Sequence, residues 1–160
     1  MARKQPKPDV KKGRGGKQTE GHKKAFTYEQ VQLVLSLLKA RGDLMHIALL
    51  HMAVSTCLRA GDLLSLRVDK VRLGGVFLEE FTVKQEKTGD PVTISLSPPC
   101  RQAVGAWLEH SGRDGAMAIF QIGREQYARI VKDWARIAHL NPAEYSTHSL
   151  RRTQPAHLYK

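Results

Sequence analysis

The first regular pattern of hydrophobic positions begins after Thr27 and predicts an amphipathic helix that ends at Gly42. Thr27 and Gln30 have the spacing of a capping box, in which each side chain bonds the backbone of the other. Hydrophobic residues then repeat every three or four positions, at Val31, Val34, Leu35 and Leu38. Asp43 can cap a second helix over about residues 44–58. Because that helix is apolar on nearly every face, it is predicted to lie at the centre of the core.

The period of the pattern changes in the middle of the chain. A third short helix is predicted over about residues 62–66, after the Ala60-Gly61 break. Hydrophobic residues then alternate at strand spacing, at Val76, Leu78, Phe81, Val83, Val92, Ile94 and Leu96. Gly74-Gly75 and residues 88–91, TGDP, supply the turns. This segment predicts one small antiparallel sheet of two or three strands.

Helical periodicity returns at Ser97, which can cap a helix whose first turn contains Pro98 and Pro99. A further helix is predicted over residues 125–139 and ends before Asn141-Pro142. A last helix starts near residues 146–147. Two tryptophans lie on the apolar stripes of these helices and are predicted to pack in the core: Trp107 and Trp134. The predicted fold class is α+β and mostly α-helical, with a helical core and the small sheet.

Length and composition place the chain among globular proteins. With 160 residues and 41% hydrophobic residues, it suits one domain with a true core. The longest apolar stretch, residues 44–54, contains His46 and His51, which are interpreted as core residues. No apolar run is long enough for a membrane span, which needs about 18 residues or more. The N-terminus lacks the apolar region of a secretory signal. Cys57 and Cys100 form no CxxC pair, so a reduced, cytoplasmic protein without a cysteine-rich zinc module is expected.

Charge adds the strongest compositional signal. The chain carries 26 Lys and Arg against 15 Asp and Glu, a net of +11. Residues 1–25 hold 9 of those basic residues and 2 acids, together with many Gly and Pro. They are predicted to form a disordered basic arm, because they cannot bury enough apolar surface to become ordered. Nucleic acid is the first expected partner and an anionic membrane surface the second.

Two basic clusters lie within segments that are predicted to be structured. Arg59 follows the buried second helix, where a charge needs a partner. A pair with Asp62 or with the helix C-terminus explains it as well as a functional role does. His148 and Arg151 are three residues apart on the last predicted helix and share a face. They lie in its first turn, where the backbone favours an anion, so a phosphate site is plausible there.

The two clusters and the hairpin between them resemble motifs of the phage integrase family, the tyrosine site-specific recombinases. Residues 56–66, TCLRAGDLLSL, resemble the family's first arginine box, with Asp62 where Glu is more common. Residues 86–94, EKTGDPVTI, resemble its lysine-bearing hairpin. Residues 147–153, THSLRRT, resemble its HxLR(H/R)T box. The motifs follow the family's order, and the likeness covers about residues 27–160.

The resemblance implies an integrase-like catalytic domain over residues 26–160 that breaks and rejoins DNA through a phosphotyrosyl intermediate. It implies four catalytic residues: Arg59, Lys87, His148 and Arg151. The arginines would hold the phosphate oxygens, Lys87 would protonate the leaving 5′-hydroxyl, and His148 would assist. No cofactor and no metal are implied. The implied partners are double-stranded DNA and further copies of the chain, as in the family's tetramer on DNA, with no membrane involved. A bacterial or mobile-element origin is expected.

The sequence departs from the family pattern after the THSLRRT box. The family adds a second box and then the nucleophilic tyrosine, and the 160 residues contain neither, so a truncated and inactive domain is expected. Tyr159 lies eight residues beyond Arg151, about 12 Å along a regular helix, and is interpreted as a packing or surface residue. Pro155 is predicted to kink the last helix. The basic arm is expected to stand in place of the family's N-terminal core-binding domain.

Two alternatives remain open from the sequence. The chain could be a non-enzymatic DNA-binding remnant of an integrase. It could also be a basic RNA-binding protein, in which case the four candidate residues need not cluster. That alternative requires exposed aromatic rings on the sheet, for which Phe77 and Phe81 are the candidates. Arg152 is expected to contact either DNA phosphate or an acidic residue.

Overall fold

The computed structural model of the protein describes residues 22–153. Helices dominate this part of the chain, and the strands are short. In chain order the elements are α1 (Tyr28–Arg41), α2 (Leu44–Thr56), α3 (Ala60–Leu64), α4 (Val68–Val71), β1 (Arg72–Leu73), β2 (Val76–Phe77), β3 (Phe81–Lys84), β4 (Pro91–Ile94), α5 (Pro98–Ser111), α6 (Arg124–Ile137), a 3₁₀ turn (Pro142–Glu144) and α7 (Thr147–Arg152). The predicted mostly helical α+β class is confirmed.

The caps recognised in the sequence set the bounds of the first helices. Thr27 and Gln30 form the predicted capping box, and Gly42 ends α1 in the left-handed conformation. The Asp43 carboxylate accepts a hydrogen bond from the His46 backbone N–H at the start of α2. Helix α2 ends at Thr56, two residues earlier than predicted, because Cys57 adopts a left-handed conformation with φ 54°.

Helix α2 is the centre of the core, as its all-round apolar pattern predicted. It packs most extensively against α5 and also contacts α1 and α7. All residues from position 47 to position 54 are buried, including His51. Burial lowers the pKa of His51 to about 4, and the positive charge of Lys39 adds to this effect. His46, in contrast, is half-buried and pairs with Asp43, so its predicted place in the core is only partly correct.

The two tryptophans, Trp107 and Trp134, also differ in how deeply they are buried. Trp134 is buried among core side chains, as predicted. Trp107 is only half-buried, and its indole N–H donates to the Ile119 carbonyl oxygen at 2.8 Å. The polar edge of Trp107 thus fixes the loop after α5 against the helix, because a buried indole N–H needs an acceptor.

The strands form two separate antiparallel hairpins instead of the single predicted sheet. Strand β1 pairs with β2 across a tight turn at Gly74 and Gly75, which both have positive φ. Strand β3 pairs with β4 in the register Phe81 to Ile94 and Lys84 to Pro91. The prediction failed because β2 pairs back onto β1, whose two residues carry no alternating pattern.

Other boundaries differ from prediction by a few residues. Helix α3 begins two residues early, at Ala60, and the short helix α4 was not predicted. Residues 1–21 of the predicted basic arm and residues 154–160, with Pro155 and Tyr159, lie outside the described residues. Residues 22–25 have no regular secondary structure. Between residues 22 and 153, no helix has the length and hydropathy needed to cross a membrane.

Candidate active site

Arg59 lies in the short connection between α2 and α3. The left-handed backbone of Cys57 turns the chain after α2, and Arg59 takes the N-cap position of α3 with an extended backbone. Its half-buried guanidinium donates from Nη1 to Gln85 Oε1 at 2.8 Å. The pair with Asp62, one of the structural explanations left open for Arg59, does not form; the buried Asp62 carboxylate accepts from the Glu86 backbone N–H at 3.1 Å instead. Both bonds tie the arginine box to the β3–β4 hairpin.

Lys87 lies at the tip of that hairpin. The turn is closed by two backbone bonds, from Gln85 N–H to the Asp90 oxygen at 3.0 Å and from Gly89 N–H to the Gln85 oxygen at 2.8 Å. Gly89 has a φ of 72°, a conformation that glycine adopts without strain. The exposed Lys87 side chain lines a cavity of about 450 Å³ together with Arg59, Asp62 and Glu86. The hairpin therefore brings a lysine to the same cavity as the first arginine.

Arg124, the first residue of α6, also lines this cavity and was not recognised in the sequence. Its guanidinium lies directly over Gly61, where a Cβ would be 2.3 Å from Arg124 Nη2. It pairs with the Glu86 carboxylate at 3.6 Å, although both side chains are largely exposed. No short motif marks Arg124, because it reaches the cavity from a distant helix. Gly61, which lies beneath the guanidinium, is the sequence feature that could have pointed to Arg124, because any side chain at position 61 would collide with it.

Helix α7 contributes Arg151 and His148. Three residues of the THSLRRT segment face the core and are buried: Ser149, Leu150 and Thr153. The Thr153 hydroxyl donates to the Ser149 carbonyl oxygen at 3.0 Å, and the Ser149 hydroxyl accepts from the Ser146 N–H at 3.0 Å. With this side fixed, Arg151 donates from Nε to the Cys57 carbonyl oxygen at 2.9 Å. This bond holds Arg151 at the end of α2, on a carbonyl that lies two residues before Arg59 in the chain.

The electrostatic environment of His148 reflects this arrangement. Although His148 is exposed, the small burial of its imidazole lowers the pKa of the ring below the ordinary value. The positive charges of four residues lower it further: Arg151, Arg152, Arg59 and His22. Arg151 thus binds a carbonyl two residues before Arg59, the charges of both arginines act on His148, and Lys87 shares a cavity with Arg59. Neither His148 nor Arg151 lines that cavity. An anion bound among these groups would be stabilised by several cations at once.

The remaining candidates have other contacts. Arg152 forms no salt bridge with an acidic residue within residues 22–153; it donates to the Lys23 carbonyl oxygen at 2.8 Å. Phe81 is buried, and Phe77 is half-buried with the Arg72 guanidinium 5.9 Å from its ring centre. Neither phenylalanine offers the exposed stacking face that the RNA-binding alternative requires. In residues 22–153 there is no group of three or more His, Cys, Asp or Glu side chains that could hold a metal ion.

Comparison with known protein families identifies the family of this chain. The sequence model described as "Phage integrase family" matches residues 24–160, which is most of the chain. The chain belongs to the phage integrase family. The resemblance seen in the three motifs is therefore confirmed, and the chain is a tyrosine site-specific recombinase-like domain. None of the curated proteins compared with it gives a match.

Solved structures with the same fold are recombinases of low sequence identity. The lambda integrase catalytic core is 17% identical with a TM-score of 0.63, over 85% of this chain and 82% of that one. XerA recombinase is 16% identical with a TM-score of 0.64, over 82% of this chain and 47% of XerA. XerH, solved bound to its difH substrate, is 16% identical with a TM-score of 0.65, over 86% and 43%. This integrase-family chain thus spans less than half the length of XerA and XerH.

The His148 environment gives a first testable prediction. The His148 side chain is expected to titrate below the ordinary histidine pKa of about 6.5, and the midpoint is expected to rise in Arg151→Gln because one repelling charge is removed. Histidine ring resonances followed by NMR over pH 4–8 measure both values. Arg129→Gln removes an equal charge from an exposed site on α6 and serves as the control. Equal midpoints for His148 in the Arg151→Gln variant and the original chain would contradict the described geometry.

Proposed function

We propose that this chain carries the phosphate-binding part of the active site of a site-specific recombinase that breaks and rejoins duplex DNA. The observation that carries the proposal is the contact of Arg151 with the Cys57 carbonyl, which brings both arginines of the family motifs to one end of α2. Two guanidinium groups there suit the two non-bridging oxygens of one phosphodiester, since each can donate bidentately. Residues 26–160 form the corresponding domain in this proposal.

Each proposed role follows from the chemistry of strand cleavage. When a tyrosine hydroxyl attacks the phosphorus, the P–O5′ bond breaks, a 3′-phosphotyrosine forms and negative charge grows on the phosphate oxygens. Arg59 and Arg151 would stabilise that charge more strongly in the transition state than in the bound substrate. Lys87 would donate a proton to the departing 5′-oxygen, and His148 would assist proton transfer at the phosphate. The shared cavity of Arg59 and Lys87 supports this division.

Duplex DNA is the proposed partner. XerH and lambda integrase were solved bound to DNA, and one lambda integrase structure holds a dimer on a COC′ core site. The net charge of +11 supports a polyanionic partner for this chain. Binding by several copies on one DNA site is part of the proposal, since a strand exchange joins two cleaved strands.

Charge removal at the cleft tests this function. Arg59→Gln and Arg151→Gln are each expected to weaken duplex binding about 10- to 100-fold, because a hydrogen bond to a charged group contributes roughly 1.5–3 kcal/mol. Fluorescence anisotropy with a labelled duplex at fixed salt gives the dissociation constants. Arg129→Gln removes the same charge from the exposed face of α6 and is expected to change binding little. If all three variants lose the same affinity, net charge accounts for binding and the cleft has no special role.

A further inference from the structure

The guanidinium of Arg124 is placed by a contact with a glycine. Gly61 lies in α3, and a Cβ at this position would be 2.3 Å from Arg124 Nη2, 2.9 Å from its Cζ and 3.2 Å from its Nε. The planar group therefore lies over one backbone position, at distances that leave no room for a methyl group. Arg124 is the first residue of α6, and α3 and α6 are in contact. Arg124 thus reaches the cavity with its charged end already oriented.

The acidic partner of Arg124 is weakly held. Arg124 Nη2 lies 3.6 Å from Glu86 Oε2, and the two side chains are 70% and 75% exposed. Ion pairs between exposed side chains contribute little to stability, because water screens them. The Glu86 backbone, in contrast, is fixed, since its N–H donates to the buried Asp62 carboxylate. The Glu86 carboxylate can therefore leave Arg124 while the hairpin stays in place.

The charges that line the cavity favour an anion. Among residues 22–153, three basic and two acidic residues line it: Arg59, Lys87, Arg124, Asp62 and Glu86. The Asp62 carboxylate is already bonded to the hairpin backbone. Departure of the Glu86 carboxylate would leave an oriented guanidinium beside the two groups that are proposed to act on the phosphate. A guanidinium can bind a phosphate through two parallel N–H bonds, as it binds a carboxylate.

We infer that Arg124, oriented by Gly61, is a further phosphate-contacting residue of the cavity, and that the Glu86 carboxylate occupies the phosphate position in the protein without DNA. The inference rests on the proposed function, because duplex DNA is the ligand in both. The incoming phosphate displaces the Glu86 carboxylate, and Arg124 then contacts the DNA backbone beside Arg59. Little side-chain freedom is lost in this step, since Gly61 already orients the guanidinium.

Affinity for duplex DNA tests the contact. Arg124→Gln is expected to weaken binding roughly three- to tenfold beyond Arg129→Gln, which removes the same charge from an exposed site on the same helix. It is also expected to lower the slope of log affinity against log salt concentration by about 1, because one lost phosphate contact releases one counterion fewer. Fluorescence anisotropy at several salt concentrations gives both quantities. Equal affinities and slopes for the two variants would overturn the inference.

Gly61→Ala separates the position of the guanidinium from its charge. The added methyl group displaces the flexible end of Arg124 and leaves the net charge of +11 unchanged. Because Gly61 lies in a helix, alanine fits its backbone. Gly61→Ala is expected to weaken duplex binding roughly two- to fivefold in the native chain and to have no further effect in Arg124→Gln. An equal loss in both backgrounds would show that the methyl group acts without Arg124, against the inference.

Removal of the Glu86 carboxylate is expected to raise affinity, a gain that misfolding cannot produce. Glu86→Gln is expected to strengthen duplex binding roughly two- to fourfold beyond Glu109→Gln, which removes an exposed acid on α5 outside the cavity. In Arg124→Gln the two acid variants are expected to bind equally, because the vacated position no longer faces that guanidinium. The same gain with and without Arg124 would mean that Glu86 only repels DNA, and displacement from Arg124 would be refuted.

Two results separate this inference from the proposed function. If Arg59→Gln weakens binding as proposed while Arg124→Gln equals Arg129→Gln, the inference fails and the proposed function stands. If the native chain binds no duplex, both fail. NMR of the arginine Nε–H groups adds a readout that a purely structural role would not move. The Arg124 signal is expected to shift on addition of a short duplex while the Arg129 signal stays, and an Arg124 signal unmoved by saturating duplex would overturn the inference.

Discussion

A polypeptide of these 160 residues is expected to bind a nicked suicide duplex and to leave no covalent protein–DNA adduct on a denaturing gel. The described residues offer the cations for a phosphate but no suitably placed tyrosine. Tyr127 and Tyr145 are buried, and Tyr28 lines a different groove, between α1 and α5. Charge stabilisation alone cannot cleave DNA, since a nucleophile must form the new bond to phosphorus.

Extension of the chain provides the decisive comparison. A fusion that adds the family's segment with the second box and the tyrosine is expected to form the adduct, and Arg59→Gln in the fusion is expected to abolish it. An inert fusion that still binds duplex DNA through Arg59 and Arg151 would favour the non-enzymatic DNA-binding remnant. An adduct formed by the 160 residues themselves and lost in Tyr159→Phe would show that the nucleophile is Tyr159.

Leu49→Ala is expected to lower the free energy of unfolding by about 3–4 kcal/mol, because it leaves a cavity at the centre of the core. Leu49 is fully buried in α2, between the packed helices. A loss of this size is a large share of the 5–15 kcal/mol that is usual for a domain. Urea unfolding followed by circular dichroism measures the change.

The matched control for this prediction is Leu33→Ala on α1. Leu33 is 42% exposed, so its truncation is expected to cost less than about 1 kcal/mol. Since the Cys57 carbonyl that holds Arg151 directly follows α2, Leu49→Ala is expected to lose DNA binding at a lower urea concentration. Equal destabilisation by the two variants would mean that α2 is not the centre of the core.

Sequence patterns predicted those elements whose ends are set by local chemistry. Thr27, Asp43 and Ser97 each accept a hydrogen bond from a backbone N–H in the first turn of their helix, so the starts of α1, α2 and α5 were predicted correctly. Helix α3 was misplaced because its N-cap is Arg59, which makes no side-chain capping bond. The two strands of the first hairpin are too short for periodicity to show.

The candidate site was likewise predicted only where local sequence motifs mark it. Motif order brought Arg59, Lys87, His148 and Arg151 to attention, and their catalytic roles stay a prediction. The supporting contacts join residues that are far apart in the chain, such as Arg59 with Gln85 and Arg152 with Lys23. Such pairs leave no periodic or local signal, since either partner could serve many other neighbours. Arg124 was missed for the same reason.

The bond between Arg151 and the Cys57 carbonyl also bears on the order of events during synthesis. It joins positions 94 residues apart, and Arg152 meets Lys23 across 129 residues. Contacts at such separations form late, because closing a long loop costs entropy before it is rewarded. The basic arm leaves the ribosome well before α7 does, and it can attract nucleic acid from that moment. The paired arginines exist only after α7 has been made and docked, so a nascent chain is expected to associate with nucleic acid through its arm before it can hold a phosphate in the cleft.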